Sequence, residues 1–465
     1  MSHQERPEVL RMATNRPTPK DQEARFLLDE LFFSTTDAKG VITFGNDLFV
    51  RVSGYSPAGL LGKPHNLIRH PDMPRAVFRL FWEYLQAGRS VVAYVKNLAA
   101  DGSYYWVCAM VAPIADGYLS IRLKPSAPFF AAIRTLYGEL LSIESAAEDR
   151  QSGMEQAGAE LGKAVRRLGY DNYGQLMEEI LISEVQSRKQ LMGAPSGTAQ
   201  DALAGSGDLA ELSAHCGSLT RHVDDLFSRL GAFMELQKAL ADKTAFIRRL
   251  GRGLQYLSLN AQVQSAGLLE DGVTLQVIAG QMSDSARSVC GAADKVCEDM
   301  AGAMGALRSA AAQIAMSDLS VETMRHFLSE LASAVNQTGT RQRIAQLAEV
   351  VEANLSATCA QMTGAADRVM QLDQRLDQFL RGIRTLQILR VTGKVEAVRC
   401  READGVSRIF NDVHSTTDQA RQKLSLLADL VGLAQIQAPD RALLDPHIAP
   451  LRSGMALDAA EALAA

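Results

Sequence analysis

The sequence predicts a small α+β domain, an antiparallel sheet with flanking helices, followed by a mostly α region of long antiparallel coiled-coil hairpins. Both tryptophans, Trp82 and Trp106, precede residue 110, whereas residues 201–465 contain no Trp and a single Tyr. Short alternating segments separated by turn residues fill the chain up to about residue 125, and heptad spacing of apolar residues dominates later. With 465 residues, the chain is also too long for one hydrophobic core.

The front part of the chain predicts short strands and tight turns. Residues 32–49 fit two strands around an Ala-Lys-Gly turn, followed by a helix that Asn46 and Asp47 open. Residues 94–123 fit three strands, and the Asp-Gly dipeptides between them are typical of hairpin turns. An amphipathic helix is predicted from Arg75 to Gln86.

Helical periodicity replaces this pattern from about Phe129. Apolar residues then recur every seven positions in two interleaved series, as in the seam of a coiled coil. The first series is Leu355, Met362, Val369, Leu376 and Ile383, and the second is Ala365, Leu372, Phe379 and Leu386. Since a helix with one such stripe cannot bury it alone, we expect an antiparallel hairpin, a dimer, or both.

Changes in composition mark the predicted joints of the chain. A run rich in Gly, Ala and Ser indicates a flexible joint, and three late prolines indicate the end of the ordered bundle. The predicted order is a flexible N-terminal segment (1–25), the α+β domain (26–125), a helical connector (126–192), a flexible linker (193–208), a helical bundle (209–434) and a flexible tail (435–465).

Composition excludes several classes of function. A net charge of -5 and a pI of about 6.0 lack the basic excess of a nucleic-acid binder. No apolar run approaches the ~20 residues that cross a bilayer, and the polar N-terminus lacks the features of a signal peptide. No metal site or catalytic signature is predicted. The cysteines have no zinc-like spacing and indicate a reducing, cytoplasmic location; they are Cys108, Cys216, Cys290, Cys297, Cys359 and Cys400.

The densest group of distinctive residues lies between positions 52 and 88. Arg69, His70 and Asp72 fall within four positions, flanked by Pro64, Pro71 and Pro74. Because proline restricts the backbone, these polar side chains are held on a stiff segment. A purely structural interpretation is that the segment caps the following helix, with Asp72 near the N-cap and Pro74 at the first helical position.

Four segments together resemble the PAS domain of bacterial aerotaxis receptors, in that order and with that family's spacing. They are STTDAKGVITFGNDLFVRVSGY, GKPHNLIRHPDMP, VKNLAADGSYYWV and SIRLK. The resemblance implies noncovalent binding of FAD that depends on the Arg-His-Pro-Asp segment. Arg69, His70 and Asp72 are therefore the leading cofactor-binding candidates, and Asn46 and Asn97 stand at further matching positions. A guanidinium can contact a phosphate or a flavin carbonyl, with Asp72 to orient it, and an amide can meet the ring edge.

One position departs from the family pattern and keeps the ligand open. Val91 stands where the family usually has a Trp that can pack on the flavin. A different ligand, an empty pocket, or haem ligated by His65 or His70 are the alternatives. Trp82 and Trp106 are predicted to be core residues rather than cofactor contacts.

Residues 254–286 resemble the cytoplasmic hairpin tip of methyl-accepting chemotaxis proteins. The motifs Leu-Asn-Ala at 259–261 and Val-Ile-Ala-Gly at 277–280 carry this resemblance. Gln264, Gly267 and Leu275 replace the family's Glu, Arg and Phe. These family residues serve receptor packing and kinase control, so their replacement puts both properties in question here.

A second copy of this segment follows at residues 386–413. The matching pairs Leu254/Leu386, Gln255/Gln387, Leu257/Leu389 and Val263/Val395 each differ by 132 in residue number. This copy has Glu396 and Arg399 at the two charged positions of the family pattern, although Thr392 replaces the Asn. We therefore predict a duplicated helical hairpin with tips near 270 and 404, either as an intramolecular four-helix bundle or within a homodimer.

Together these features predict a non-enzymatic, cytoplasmic signal-transduction sensor, for which association with chemoreceptor arrays is a further expectation. The resemblances imply redox, oxygen or energy sensing through a PAS-bound cofactor, and signalling to a chemotaxis histidine kinase with its coupling protein. The alternative is an interaction scaffold, without catalysis, that no longer couples to such a kinase.

Overall fold

A computed structural model describes residues 16–193, 207–268, 272–333, 340–400, 403–433 and 441–453. Contacts divide the chain into two compact units, and each is described by itself. The first unit holds the described residues of 1–227, 312–357 and 440–465, and the second holds those of 228–311 and 358–439. The predicted linker falls almost wholly on 194–206, outside the described residues.

The first unit contains a five-stranded antiparallel sheet of order β2-β1-β5-β4-β3. Its strands are β1 (Phe32–Asp37), β2 (Ile42–Gly45), β3 (Val91–Leu98), β4 (Tyr104–Ile114) and β5 (Gly117–Leu123). Gly40 and Gly102 adopt the left-handed backbone that the two tight turns require, with φ of 77° and 91°. The predicted α+β fold is confirmed.

Three helices and one 3-10 turn lie between β2 and β3. They are α1 (Asp47–Ser53), α2 (Pro57–Leu60), the 3-10 turn His65–Ile68 and α3 (Arg75–Gln86). The predicted bounds of α3 match those in the structure, because its apolar stripe begins and ends within those residues. The side chain of Asn46 accepts a hydrogen bond from the backbone N–H of Phe49, so Asn46 is the N-cap of α1.

The helical connector packs directly against this sheet. It consists of α4 (Phe129–Ala146), α5 (Arg150–Arg167) and α6 (Tyr173–Met192). The helices α4 and α5 pack together, α5 contacts α3, and α6 lies on β3. The fully buried Glu184 of α6 accepts hydrogen bonds from the Tyr94 hydroxyl at 2.6 Å and from the Ser126 backbone N–H at 2.7 Å.

In the described part of the chain, four long helices and one short helix follow. They are α7 (Gly207–Ala266), α8 (Val273–Ser333), α9 (Thr340–Arg399), α10 (Asp404–Leu433) and α11 (Arg441–Ser453). The first three contribute one segment to each unit. No helix among the described residues has the length and the apolar character that spanning a membrane requires.

Contacts within the second unit pair its helices in antiparallel fashion. On α7 and α8, the carbonyl of Thr244 is 3.6 Å from the Cys297 sulfur. On α8 and α9, Asp299 forms an ion pair with Arg375 at 3.0 Å. On α9 and α10, Lys394 donates to the Asn411 side chain at 2.9 Å. All nine residues of the two predicted apolar series are buried. One of these nine residues lies in the first unit.

The pattern of burial repeats with the same spacing as the sequence. Leu254 and Leu386 are both fully buried, whereas Val263 and Val395 are both exposed, at 72% and 52%. Helices α7 and α9 end at Ala266 and Arg399, close to the predicted tips. Residues that are 132 apart therefore occupy equivalent environments in the two hairpins.

The described parts of two segments that were predicted to be flexible, residues 16–25 and 441–453, have defined contacts. The segment after residue 16 pairs with the start of β4: Tyr104 donates its N–H to the Gln22 carbonyl and accepts from the Ala24 N–H. This edge is available because β5 reaches β4 only at Cys108. Residues 441–453 form α11 despite two internal prolines, since Leu444, Ile448 and Leu451 form one buried apolar stripe.

Candidate functional site

A cavity of about 1010 Å³ lies in the first unit. Its walls come from β3, β4, β5, α3, residues 64–73 and the facing parts of α4 and α5. This volume is at the upper end of the range for cavities that enclose small molecules or cofactors. The connector, predicted only as a link to the helical half, thus contributes to the candidate site.

Two buried polar groups on the cavity wall have no hydrogen-bond partner among the described residues. They are the side-chain nitrogen Nδ2 of Asn97 and the hydroxyl of Ser120, in residues 2% and 6% exposed. Buried polar atoms are nearly always satisfied, so each one left without a partner requires an explanation. A ligand with polar atoms would satisfy both. The structure thus places the predicted residue Asn97 on the cavity wall.

Arg69 also lines the cavity. Its guanidinium donates to the Met73 carbonyl at 2.9 Å and lies 4.1 Å from the centre of the Phe78 ring. The backbone of Arg69 pairs with that of Asn97, which places these two predicted residues side by side. Two contacts therefore hold the guanidinium at the wall while leaving other N–H groups for a ligand.

His70 and Asp72 have different positions. His70 lines the cavity and is 3% exposed, and its Nδ1 accepts the Asp72 backbone N–H at 3.1 Å. Burial and the charge of Lys96 lower the pKa of His70, against the opposing charge of Asp72. Because Nδ1 accepts the Asp72 N–H, a neutral ring carries its proton on Nε2. Asp72 lies outside the cavity wall, and its carboxylate pairs with Lys96 at 2.7 Å.

The expectations for Asp72 therefore need correction. It neither orients the Arg69 guanidinium nor caps α3, because Lys96 takes its carboxylate. Pro74 is the N-cap residue of α3, which begins at Arg75, and it supplies no side-chain cap. The carboxylate of Glu144, from α4, accepts from the first backbone N–H groups of α3 instead.

Asn46 is not part of the cavity wall. Its side-chain oxygen accepts from the backbone N–H groups of Phe33 and Phe49, and its Nδ2 donates to Glu330 of α8 at 2.9 Å. These contacts use both ends of the amide. A role for Asn46 in cofactor binding stays a prediction, whereas its contact with α8 is direct.

A buried arginine on the wall was missed by sequence reasoning. Arg122 is 3% exposed, donates to the Ser34 hydroxyl at 3.0 Å, and contacts Nε2 of His65 at 2.5 Å. Burial and the charge of Arg122 lower the pKa of His65 to about 3, so His65 is neutral and accepts from Arg122. A single arginine within an apolar strand was the available signal.

Charge on the cavity wall is strongly positive. Among its described residues, Glu144 is the one carboxylate, against seven cationic side chains. Those cations are Arg16, Lys39, Arg69, Arg75, Arg79, Arg122 and Arg150. Burial lowers the pKa of Arg69 to about 10, with Glu144 opposing and Arg75, Arg16 and Arg150 adding to this effect. Such a wall favours an anionic ligand.

The two tryptophans and Val91 occupy distinct environments. Trp82 lines the cavity and packs edge-on against Tyr118, whereas Trp106 packs against Phe130 and Tyr137. Val91 is fully buried beside Tyr84 and Leu85 and is not one of the cavity-lining residues. The position of the missing family Trp is thus filled by core packing.

Neither histidine of the haem alternative offers the usual geometry. The Nε2 lone pair of His65 faces Arg122, and the Nδ1 lone pair of His70 faces the Asp72 N–H. A haem ligand needs a free imidazole lone pair. Within the described ranges, no three His, Cys, Asp or Glu side chains are grouped so as to hold a metal ion.

Comparison with known proteins identifies the N-terminal domain as a PAS domain. Residues 42–119 match the family described as PAS fold. The chain is 39% identical over 132 residues to the aerotaxis receptor of Escherichia coli (strain K12), a match covering 27% of this chain and 26% of the receptor. The predicted PAS domain and its similarity to the aerotaxis receptor are confirmed.

The chain has two further similarities. The chain is 32% identical over 82 residues to the biofilm dispersion protein BdlA of Pseudomonas aeruginosa, covering 17% of this chain and 20% of that protein. The Rhodobacter sphaeroides LOV protein is 17% identical, with a TM-score of 0.20 over 30% of this chain and 90% of that chain. The chain spans about a quarter or less of the length of the two curated relatives, the aerotaxis receptor and BdlA.

Proposed function

We propose that the PAS domain binds FAD noncovalently and that the chain is a redox, oxygen or energy sensor in signal transduction. The observation that carries this proposal is the cavity, which combines a cationic wall with two buried polar groups that have no partner among the described residues. FAD presents a planar ring with a polar edge and an anionic diphosphate. The similarity to the aerotaxis receptor supports the same assignment.

The residues of the cavity fit the two ends of this cofactor. Asn97 and Ser120 would meet the polar edge of the ring, between apolar residues such as Val95 and Val111. Arg69 and neighbouring arginines would hold the diphosphate through charge-assisted hydrogen bonds. Bound FAD would supply reversible electron transfer. The chain's own residues orient it and exclude water.

A route from the cavity domain to α8 is available within the first unit. Phe33 and Phe44 of the first two strands pack on Phe327, with ring centres 5.1 and 5.7 Å apart. Beside them, Asn46 donates to Glu330. A change in cofactor state that shifts the sheet would therefore act on α8. The cofactor can shift the conformational equilibrium of the protein only by as much as it binds one conformation more tightly than the other.

Hydrogen–deuterium exchange with the FAD-loaded chain tests this proposal. We expect peptides of α8 that contain residues 316–333 to exchange differently when the flavin is oxidised and when it is reduced anaerobically. Peptides of α10, which belongs to the second unit, serve as the internal reference. Identical exchange of α8 in both redox states would rule out sensing by this route.

We further propose that the helical region passes the signal to a chemotaxis histidine kinase and its coupling protein, in the cytoplasm and at chemoreceptor arrays. This proposal is supported by two exposed apolar stripes near the hairpin tips, which lie at equivalent positions of the two repeats. The first stripe is Tyr256, Leu259 and Val263, and the second is Ile388, Val391 and Val395. Apolar residues at such helical spacing are typical of a surface that accepts a partner helix.

Replacing Val263 and Val395 together with aspartate should remove this interaction. Both side chains are exposed, so stability should change by less than about 0.5 kcal/mol, whereas a charge within each stripe opposes apolar contact. Capture of the purified kinase and coupling protein by the immobilised chain is the measurement. The control is Gln422→Asp, which places one such charge on an exposed position of α10.

The outcome of the capture experiment also decides the second candidate function. Gly267, in place of the family Arg, favours an interaction scaffold that no longer couples to a kinase. The ion pair of Glu396 with Arg399 at 3.0 Å keeps both family charges in the second hairpin. Failure of the unsubstituted chain to capture the kinase would favour the scaffold.

A further inference from the structure

The N-terminus of α3 is capped by a residue from the connector. The two carboxylate oxygens of Glu144 accept the backbone N–H groups of Arg75 at 3.0 Å and Ala76 at 2.8 Å. Glu144 lies in the last turn of α4, 68 residues from Ala76 along the chain. The N–H groups and dipole at the start of a helix favour an anion, and here the protein supplies one itself.

The same carboxylate stands among the cations of the cavity. The charges of Arg75, Arg16 and Arg150 all act on Arg69, and Glu144 is the acidic partner in this group. Arg150 begins α5, only six residues after Glu144. Connector and PAS domain thus share one cluster of opposite charges.

An independent observation shows that this cavity is built to receive a ligand. The buried Nδ2 of Asn97 and hydroxyl of Ser120 have no partner in the described part of the chain. Because the backbone of Arg69 pairs with that of Asn97, the unpartnered amide of Asn97 belongs to a residue next to one member of the arginine cluster. The cavity therefore suits one ligand with a polar planar part and an anionic part.

We propose that Glu144 is a built-in competitor for the anionic part of the ligand, and that a phosphate-bearing ligand displaces it from α3 and so releases the end of α4. The proposal deepens the proposed function, since FAD is the ligand it has in view. Ligand phosphate and the Glu144 carboxylate both need the α3 N–H groups and the arginines, and like charges exclude each other from one site.

Displacement of Glu144 would carry cavity occupancy into the connector. Glu144 is half-buried, so its carboxylate can leave α3 for solvent without crossing the core. The helices α4 and α5 pack on each other, and the short turn between them holds the α5 N-cap, Asp149. Loss of the α3 contact therefore loosens the end of α4 next to this turn. A ligand without phosphate would fill the ring site and leave Glu144 in place.

Titration of the full chain with FAD and with riboflavin tests the competition. The variant Glu144→Gln removes the charge and keeps an acceptor oxygen for α3. We expect it to bind FAD about three- to tenfold tighter, as removal of one competing charge at a helix terminus implies. Riboflavin, which has the ring but no phosphate, should bind both proteins equally. The matched control is Glu148→Gln, an exposed carboxylate four residues away that does not line the cavity.

Inorganic pyrophosphate separates this inference from the proposed function. Calorimetric titration should show tighter binding to Glu144→Gln than to the unsubstituted chain, and weaker binding to Arg150→Gln, whether or not any flavin binds. If flavins fail to bind while pyrophosphate follows this pattern, the assignment of FAD as the ligand is wrong, but the proposal that Glu144 competes with an anionic ligand is supported. No effect of Glu144→Gln on pyrophosphate, or an equal effect on FAD and riboflavin, would overturn the competitor.

Hydrogen–deuterium exchange of the connector distinguishes displacement of Glu144 from simple charge repulsion, which would leave the exchange rates of the connector unchanged. On addition of pyrophosphate or FAD, backbone amides at the end of α4 should exchange faster in the unsubstituted chain. In Glu144→Gln, the neutral amide holds the α3 N–H groups more weakly, so these amides should exchange faster before any addition and change less afterwards. Unchanged exchange of α4 in the unsubstituted chain at saturating pyrophosphate would overturn the displacement.

Discussion

Replacing Glu322 with alanine should lower the free energy of unfolding of the first unit by about 3–5 kcal/mol. Arg188 of α6 is 2% exposed, and its guanidinium contacts the two Glu322 oxygens of α8 at 2.5 and 2.8 Å. It also donates to the carbonyls of Leu28 and Asp29. Without Glu322, the buried cation keeps two neutral partners but loses its counter-charge.

Urea unfolding followed by tryptophan fluorescence measures this effect, because both tryptophans belong to the first unit. The exposed Glu148→Ala is the control and should change stability by less than about 0.5 kcal/mol. The double variant Arg188→Met with Glu322→Met should recover most of the loss, since apolar side chains can replace a buried ion pair. A loss below about 1 kcal/mol for Glu322→Ala would contradict this assignment.

The same ion pair should leave a signature in the pH dependence of stability. Burial favours a higher pKa for Glu322, but hydrogen bonds and charges from His326 and Arg188 outweigh it and lower the pKa to about 2. A carboxyl whose pKa is lower in the folded state stabilises fully above its ordinary value and loses this contribution as the pH falls. The difference in stability between wild type and Glu322→Ala should therefore shrink from about pH 4.5 towards pH 2. A constant difference over this interval would exclude an ionised pair.

Replacing Arg69 with methionine should weaken FAD binding by about 10- to 100-fold. A hydrogen bond to a charged group contributes about 1.5–3 kcal/mol, and Arg69 offers several to the diphosphate or to the ring. Methionine keeps an apolar stem against Phe78, so the fold should persist. The measurement is the dissociation constant from flavin fluorescence, with the thermal midpoint recorded in parallel.

The control for Arg69 is another arginine of the same domain. Arg51 forms an exposed ion pair with Glu30 and does not line the cavity. The variant Arg51→Met should bind FAD within about twofold of wild type. Equal affinity of Arg69→Met and wild type, with an intact thermal midpoint, would remove Arg69 from the site.

Local features of the chain were predictable from the sequence. The turns at Gly40 and Gly102 follow from backbone sterics, and the bounds of α3 follow from its apolar periodicity. The two heptad series identified buried faces because a helix repeats nearly every seven residues. Each of these sequence signals lies within a few residues of the turn, helix or buried face that it specifies.

The parts that escaped prediction depend on residues far apart in the chain. Glu144 reaches α3 across 68 residues, His65 reaches Arg122 across 57, and Asn46 reaches Glu330 across 284. No local pattern specifies such pairs, and the ion pair of Asp72 was missed for the same reason, because its partner Lys96 comes from β3. In the tail, the prolines led to the prediction of a flexible segment. Residues 441–453 instead form α11, because its three-residue apolar stripe is buried.

The absorption spectrum of the freshly purified chain tests the central claim most directly. We predict the visible bands of a bound flavin, and FAD rather than FMN in the supernatant after heat release. A colourless protein that takes up no FAD on titration, or a Soret band in place of the flavin bands, would contradict the account.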